Sequence, residues 1–255
     1  VHYTLAGTER SLQAPYLVGA DGANSRIRRA LALPFEGLTY PEVTILATTR
    51  FPFEEHLPGL SPVNYIWREG GNFSLLRLPD RWRVSVYPDA DEDPAADPDP
   101  ARVEAKLQLI VHRDCPYEVL EMRPYRIHQR IVPSYRVGRV LLAGDAAHVN
   151  SPTGGMGMNC GIHDAFSLSE KLAAVLGGAD DALLDRYDRQ RRPVAREEIM
   201  GQAHENRSRM RNRDENWRRQ ELQRLQGIAA DQEAARRHLL RSSMIEGLRR
   251  AVATD

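Results

Sequence analysis

Short apolar runs and strict alternation dominate the first half of this chain, and helical spacing dominates the second. Val1-His2-Tyr3-Thr4-Leu5 alternates and breaks at Ala6-Gly7-Thr8, the pattern of a β-hairpin. Tyr16-Leu17-Val18-Gly19-Ala20 is a continuous apolar run, as in a buried strand, and ends in the polar turn Asp21-Gly22-Ala23-Asn24-Ser25 before a helix-like stretch from Arg26 to Leu31. Val43 to Phe51, Val63 to Trp67, Phe73 to Leu78 and Arg83 to Tyr87 read as strands separated by proline and glycine turns. Consecutive strands without long helices between them predict an antiparallel sheet in its own layer. A short helix is expected over roughly Ala101 to His112, and a further strand from Tyr125 to Val132.

Arg139-Val140-Leu141-Leu142-Ala143 is a second short apolar run, of the kind found in parallel sheets. It leads through Gly144-Asp145-Ala146-Ala147-His148 and Ser151-Pro152-Thr153-Gly154-Gly155-Met156-Gly157-Met158-Asn159 into a helix. The apolar positions Ile162, Ala165, Phe166, Leu172, Ala173 and Leu176 predict one buried face of that helix. From Ala182 an amphipathic helix runs to Arg192, and Pro193 should kink or restart it. The remainder, with Leu222, Leu225, Ile228, Leu240, Met244, Leu248 and Val252 spaced among charges, reads as a solvated helical hairpin laying one stripe on the main body. A homodimer contact is the alternative use of that stripe.

Charge and composition narrow the function classes. Basic and acidic residues balance at 35 each, so no global field favours nucleic acid or an anionic membrane. No apolar run approaches the roughly 20 residues of a membrane span. Cys115 and Cys160 are too few for a disulfide framework or a metal cluster, and a reducing cytoplasm follows as the expected location. His2, His56, His112, His128 and His204 are scattered without metal-ligand spacing, so no metal site is expected. No Gly-x-Ser-x-Gly elbow and no phosphate-binding P-loop occur. The acidic, proline-rich stretch 88–100 reads as a solvated loop.

The order strand, acidic turn, glycine loop, helix carries chemistry at residues 139–176. An Asp at the C-terminal end of a sheet strand stands where open α/β sheets bind ligands, and its carboxylate accepts hydrogen bonds from sugar-like hydroxyls. Three glycines in four positions let backbone approach a flat or anionic group. The helix beyond them offers free N–H groups and a partial positive charge, suited to the negative N1–C2=O edge of a reduced flavin.

Gly138 to His148, then Met158-Asn159 and Gly161-Ile162-His163-Asp164-Ala165, resemble the GD motif and flavin loop of the class A flavoprotein monooxygenases, relatives of p-hydroxybenzoate and phenol hydroxylases. Tyr16 to Ser25 resembles the DG motif of the same family, and Tyr187-Asp188-Arg189-Gln190-Arg191-Arg192-Pro193-Val194-Ala195 is similar to the helix that follows its flavin domain. The resemblance covers about residues 14–30 and 125–200, fades over 40–120 and ends near 205.

The resemblance implies an α/β fold. Its parts are a Rossmann-like FAD-binding parallel sheet, incomplete at the N-terminus, an inserted antiparallel substrate sheet and a helical C-terminal tail. The divisions expected are 1–38 and 126–200 for the FAD-binding domain, 39–125 for the substrate sheet and 201–255 for the tail. It also implies reduction of FAD by NADH or NADPH, reaction with O2, and transfer of one oxygen to a small aromatic, phenolic substrate. Asp145, flanked by Gly144 and Ala146, would hold the ribityl chain. Pro152 with Gly154, Gly155, Met156 and Gly157 would lie against the isoalloxazine ring. Backbone N–H groups of Met158 and Asn159 would face its N1–C2=O edge, and Asp21 and Gly22 would support the pyrophosphate side. His148 is expected to be structural, Cys160 a small packed side chain and His163 a polar group on the helix surface. No catalytic residue is assigned, although Tyr65, Trp67 and Arg77 stand on the strands of the substrate sheet.

The family's GxGxxG turn and the acid that follows it do not occur, and the chain opens inside a strand, so roughly 100 residues are expected upstream of Val1. The alternatives are a non-catalytic fragment of the flavin fold, or another flavin oxidation on that fold, such as epoxidation, halogenation or polyprenyl reduction.

Overall fold

The computed structural model describes residues 1–68, 71–88, 92, 93, 96–212 and 214–255, with 42 and 211 by backbone alone. The chain forms two units. One comprises Val1–Gly37, Gln129–Glu205 and Glu221–Asp255; the other comprises Leu38–His128 and Asn206–Gln220.

In the first unit, β1 (His2–Leu5) and β2 (Thr8–Ser11) form the expected hairpin, and all eight of their residues are exposed. Ala6 and Gly7 both take positive φ, the geometry of a tight two-residue hairpin turn. β3 (Leu17–Gly19) is followed by α1 (Arg26–Ala30), whose N-terminus Ser25 caps through its hydroxyl. Much later in the chain come β9 (Arg136–Val137) and β10 (Val140–Leu142). β10 pairs with β3 in parallel, Val140 opposite Leu17 and Leu142 opposite Gly19, and with β9 antiparallel. The parallel strands expected from two separated apolar runs are therefore neighbours. A 3-10 turn at Gly144–Ala146 and the short β11 (His148–Val149) lead to α4 (Met156–Leu176) and α5 (Ala182–Pro193).

Pro193 changes the helix type rather than ending the helical run. Residues Val194–Ile199 form a π-helix that continues into α6 (Met200–Arg211). A proline lacks the N–H that an α-helical ladder needs, and a widened turn is one way to carry the chain on. After α7 (Glu215–Ala230) and α8 (Gln232–Ser242), α9 (Ile245–Ala253) returns to the π-helix. There a Cβ on Gly247 would meet Val194 Cγ1 at 2.9 Å. Gln190 donates to the Thr254 carbonyl at 2.7 Å, and Arg250 pairs with Glu197 and Glu198. The unit is held by one apolar core that includes Leu141, Leu142, Ala146, Leu168, Leu184, Tyr187, Ala195 and Ile199.

The second unit is antiparallel, as its alternating pattern predicts. β4 (Glu36–Thr49), β5 (Val63–Ile66), β6 (Phe73–Leu78), β7 (Arg81–Val86) and β8 (Val119–Ile131) lie in the order β8-β4-β7-β6-β5. β4 and β8 begin earlier than their apolar stretches suggest. Their early parts mix exposed Glu36, Leu38, Thr39, Glu121 and Arg123 with half-buried Val119, Leu120 and Met122 and carry Gly37, Pro41 and Pro124, so no clean alternation marks them; Thr39 Oγ1 meets His128 Nδ1 at 2.9 Å across them. α2 (Phe53–His56) and α3 (Pro100–Ile110) complete a core of Phe51, Phe53, Leu75, Trp82, Val84, Leu107 and Tyr117. Residues 89–91, 94 and 95 of the acidic loop and residue 213 lie outside the described residues; Asp99 of that loop caps α3 by accepting from the Ala101 N–H at 2.9 Å.

Candidate flavin site

The two acidic turns singled out in the sequence leave adjacent parallel strands at the same end. β3 delivers Asp21 and Gly22, and β10 delivers Gly144 and Asp145. The C-terminal edge of neighbouring parallel strands is where this class of sheet places ligands. Asp21 turns inward on its own loop. Its Oδ2 accepts from Arg26 N at 2.7 Å and Ile27 N at 3.3 Å; against desolvation, the Ser25 hydroxyl and these backbone donors hold its carboxyl below the ordinary range. Asp145 is exposed and its carboxylate has no hydrogen-bond donor among the described residues. The first Asp shapes a turn; the second remains available to a ligand.

The glycine loop is open. Pro152, Gly154 and Gly155 are exposed, and Pro152 closes a turn by accepting from Gly155 N at 2.9 Å. Gly154 and Gly155 have φ of 102° and 67°, conformations that a β-carbon would strain, and a Cβ at Gly155 would meet nothing within 4 Å. A flat group can therefore approach that backbone. No side chain caps α4 at Gly155. With Gly155 at the cap, the N–H groups of Met156, Gly157 and Met158 have no acceptor within the helix. Asn159 is the fourth helical residue and its N–H is the first to reach an intrahelical carbonyl. The helix starts at Met156, so free donors stand at 156–158; of the two residues expected to face the flavin edge, Met158 is among them and Asn159 begins the hydrogen-bonded turn. The Asn159 side chain donates to the Gly155 carbonyl at 2.9 Å. An uncapped N-terminus on a long helix, a pliant glycine turn and an unpartnered Asp fit a flavin's ring and ribityl chain.

The expected buried face of α4 is also corrected. Ile162, Phe166 and Leu176 are 55%, 67% and 61% exposed, and the buried side carries Met156, Cys160, Asp164 and Leu168. The helix is apolar on both sides, so periodicity alone could not choose. What faces inward is a polar centre that the sequence reading left without a role. Asp164 Oδ2 accepts from His148 Nε2 at 2.7 Å and from Gly144 N at 3.2 Å, while Oδ1 accepts from Arg191 Nε at 2.8 Å. These two cations and the hydrogen bonds overcome burial and keep the Asp164 carboxyl below its ordinary range. His148 is pushed up to about 10, the Asp164 carboxylate outweighing the desolvation that acts against the charged ring. Tyr135 stacks on that ring at 5.9 Å. His148 is structural, as expected, and Cys160 is packed small and buried. His163 is half-buried, and desolvation lowers its pKa.

His148 Nε2, Cys160 Sγ and an Asp164 oxygen lie within 4.8 Å of one another, a donor set of the kind that holds metals. Arg191 answers that possibility differently. Its Nε bonds Asp164, and its Nη2 lies 3.5 Å from Cys160 Sγ. A fixed guanidinium on two of three donors already supplies the cation.

Sequence reasoning also passed over Arg28. Buried in the middle of α1, it donates through Nη2 to Ala23 O at 2.7 Å and through Nη1 to Ala146 O at 3.0 Å, and its guanidinium stacks 3.8 Å over Phe35. Nothing in local periodicity marks a residue whose partner is 118 positions away.

The substrate-sheet candidates are not drawn together by contacts. Arg77 pairs with Glu54 at 3.2 Å, Trp67 donates to Met210 Sδ at 3.0 Å and packs on Trp217, and Tyr65 is exposed. A cavity of about 230 Å³ in this unit is lined by Val43, Ile45, Glu92, Asp97, Asp99 and Arg102, among others. Glu92 is occupied by Lys106 at 2.6 Å, so the rim is an ion-paired wall, and its acidity suits a phenolate poorly.

The fold is that of the class A flavoprotein monooxygenases. The chain belongs to the FAD binding domain family, which it matches over residues 1–202, and FAD is the cofactor of that family. A flavin-dependent monooxygenase of Mycobacteroides abscessus is 39% identical over 199 residues, covering 74% of this chain and 40% of the relative. Para-nitrophenol 4-monooxygenase of a Pseudomonas species is 36% identical over 199 residues, covering 74% of this chain and 47% of the relative. The crystal structure of p-nitrophenol 4-monooxygenase from Pseudomonas putida superposes with a TM-score of 0.80 at 32% identity, covering 95% of this chain and 61% of that one. Aklavinone-11 hydroxylase, solved with FAD and aklavinone, gives a TM-score of 0.70 at 33% identity over 78% of this chain and 38% of that one. The chain thus spans half or less of the length of these curated relatives.

Proposed function

We propose that this chain carries the flavin loop and substrate sheet of an FAD-dependent monooxygenase that hydroxylates a small aromatic, phenolic substrate with NADH or NADPH and O2. The observation that carries this reading is the delivery of an unpartnered Asp145 and an open glycine turn by adjacent strand and helix ends. FAD, when bound, supplies electron transfer from the nicotinamide and activation of O2. Asp145 accepts hydrogen bonds from ribityl hydroxyls, with Gly144 and Ala146 shaping its turn. Pro152 lies against the ring, and Gly154 and Gly155 give it backbone without β-carbons. The N–H groups of Met156, Gly157 and Met158 face developing negative charge on the flavin edge, and Asn159 braces the loop through Gly155. Asp21 and Gly22 shape the turn on the pyrophosphate side.

The same reading assigns residues 1–38 and 126–200 to the flavin domain, 39–125 to the substrate sheet and 201–255 to the tail. Both cysteines are free, which suits a cytoplasmic protein. No described helix is long and apolar enough to cross a membrane. The helical tail offers a surface for a homodimer.

The test is titration of the purified protein with FAD, followed by NADH and NADPH oxidation with and without 4-nitrophenol and simple phenols. Saturable flavin binding with phenol-stimulated oxidation and a hydroxylated product is expected. Absence of saturable binding overturns the reading.

A further inference from the structure

The 3-10 turn that presents Asp145 is fixed from one side by two contacts. Gly144 takes φ 58°, and its backbone lies so close to α4 that a Cβ built on Gly161 would stand 3.2 Å from Gly144 Cα. One turn further along the same helix, Asp164 accepts the Gly144 N–H. That carboxylate is fully buried and cannot drift, because His148 from β11 and Arg191 from α5 hold its two oxygens. Tyr187, one turn before Arg191, donates to the Leu142 carbonyl at 2.8 Å, so α5 anchors the strand as well as the acid. Three elements thus converge on the residue before Asp145, and a single side chain joins them.

We propose that Asp164 is the positioning residue of the flavin turn: by accepting the Gly144 N–H from a carboxylate locked between His148 and Arg191, it sets where the Asp145 carboxylate stands. Its role toward the cofactor rests on the flavin reading above; its role toward the turn does not. The role goes beyond packing, since a packing residue would hold α4 and α5 together without selecting the conformation of Gly144. A carboxylate in this place satisfies three donors at once. An amide cannot, because its NH2 must face one of them.

The test compares wild type with Asp164→Asn and Asp164→Glu. The Glu variant keeps the negative charge that Arg191 and His148 need and displaces the acceptor by one methylene, so it serves where Asn disrupts the fold. Arg191→Met is the control: it removes the partner of Oδ1 but leaves Oδ2, the oxygen that accepts from Gly144, still held by His148. Two quantities are read at a temperature where each variant is folded: amide hydrogen exchange at Gly144 against Leu141 and Leu142, and affinity for FAD by fluorescence titration. At Asp164, Gly144 exchange is expected to accelerate at least tenfold while the strand amides keep their protection, with FAD affinity falling at least tenfold. Arg191→Met is expected to melt earlier yet keep Gly144 protected and FAD affinity within about threefold.

Unchanged Gly144 exchange in a folded Asp164 variant overturns the proposal. Released Gly144 with undiminished FAD affinity overturns the link to the cofactor. Released Gly144 in a protein whose wild type binds no FAD sinks the flavin reading and leaves the turn assignment supported.

Discussion

Arg28 Nη1 donates to the Ala146 carbonyl at 3.0 Å, tying the turn after β3 to the turn after β10 across 118 residues of chain. The same guanidinium reaches Ala23 O, so one side chain sets the spacing of both acidic turns. It is buried, and removing it leaves two carbonyls without their donor. Arg28→Met is therefore expected to cost about 2–4 kcal/mol of folding stability, the range for charged hydrogen bonds lost from a buried position. Arg28→Lys recovers only part of this, because an ammonium lacks the fork that spans two acceptors. Urea unfolding of the three proteins measures it; a loss below about 0.5 kcal/mol for the Met variant contradicts the bracing role.

The buried acid and its partners predict the pH profile. His148 has a folded pKa of about 10 against an ordinary 6.5. Its contribution is complete below pH 6.5 and is lost as the pH rises from 6.5 towards 10. Asp164 is shifted the other way, below its ordinary 3.8; its contribution is present above 3.8 and is lost as the pH falls through the lower folded value. The two together give a plateau on the acid side of neutrality and a long alkaline decline. In melting curves from pH 4 to 10, His148→Gln should be less stable than wild type on the plateau. That gap should close on the alkaline side. A gap that stays constant to pH 10 means that His148 is neutral in the folded protein throughout.

The legible part of this molecule was what short-range pattern encodes. Two apolar runs ending in acidic glycine turns, at 17–19 and 140–142, read as buried strands, though only the structure shows them paired, and the glycine loop before α4 marked the open turn. The substrate strands were legible where they alternate, as at Phe73–Leu78, and not where β8 runs through exposed Glu121 and Arg123. Asp164 stands within a motif, yet nothing local in the sequence assigns it a role. A carboxylate on a helix reads as solvent-facing unless the donors that would neutralise it are known, and those donors come from Gly144, His148 and Arg191. Apolar residues on both faces of α4 made the wrong face look buried. Arg28 shows the same limit, since a long-range hydrogen bond leaves no trace in local periodicity.

Close backbone approach singles out Gly37. Its φ is 136°, and a Cβ there would strike the Gln129 carbonyl oxygen on the neighbouring strand. The obstacle is backbone, so it cannot rotate away. Gly37→Ala should cost more than about 3 kcal/mol, combining strain at positive φ with a displaced strand. Gly7→Ala has open space and only the φ cost, about 1 kcal/mol. Denaturant midpoints of the two variants should differ clearly, and equal midpoints would contradict the contact.

Asp145 separates function from folding. Its side chain is exposed and has no hydrogen-bond donor among the described residues, so the folded protein gains little from it. Asp145→Ala is expected to leave the melting temperature within the range of ordinary surface substitutions, about 0.5 kcal/mol. Its FAD affinity should nevertheless fall at least tenfold, as expected when a charged acceptor is withdrawn from a ligand hydroxyl, worth about 1.5–3 kcal/mol. Asp145→Asn keeps one oxygen acceptor and should lie between. The contrast with Asp164 gives the comparison its force. Loss of either acid, one at each end of a short hydrogen-bonded path through Gly144, should weaken flavin binding, but only loss of the buried one should lower the melting temperature and change the pH profile. If Asp145→Ala melts well below wild type, the residue has a folding partner and its carboxylate is not reserved for a ligand. If it melts like wild type and binds FAD as well as wild type does, the turn after β10 does not hold the ribityl chain.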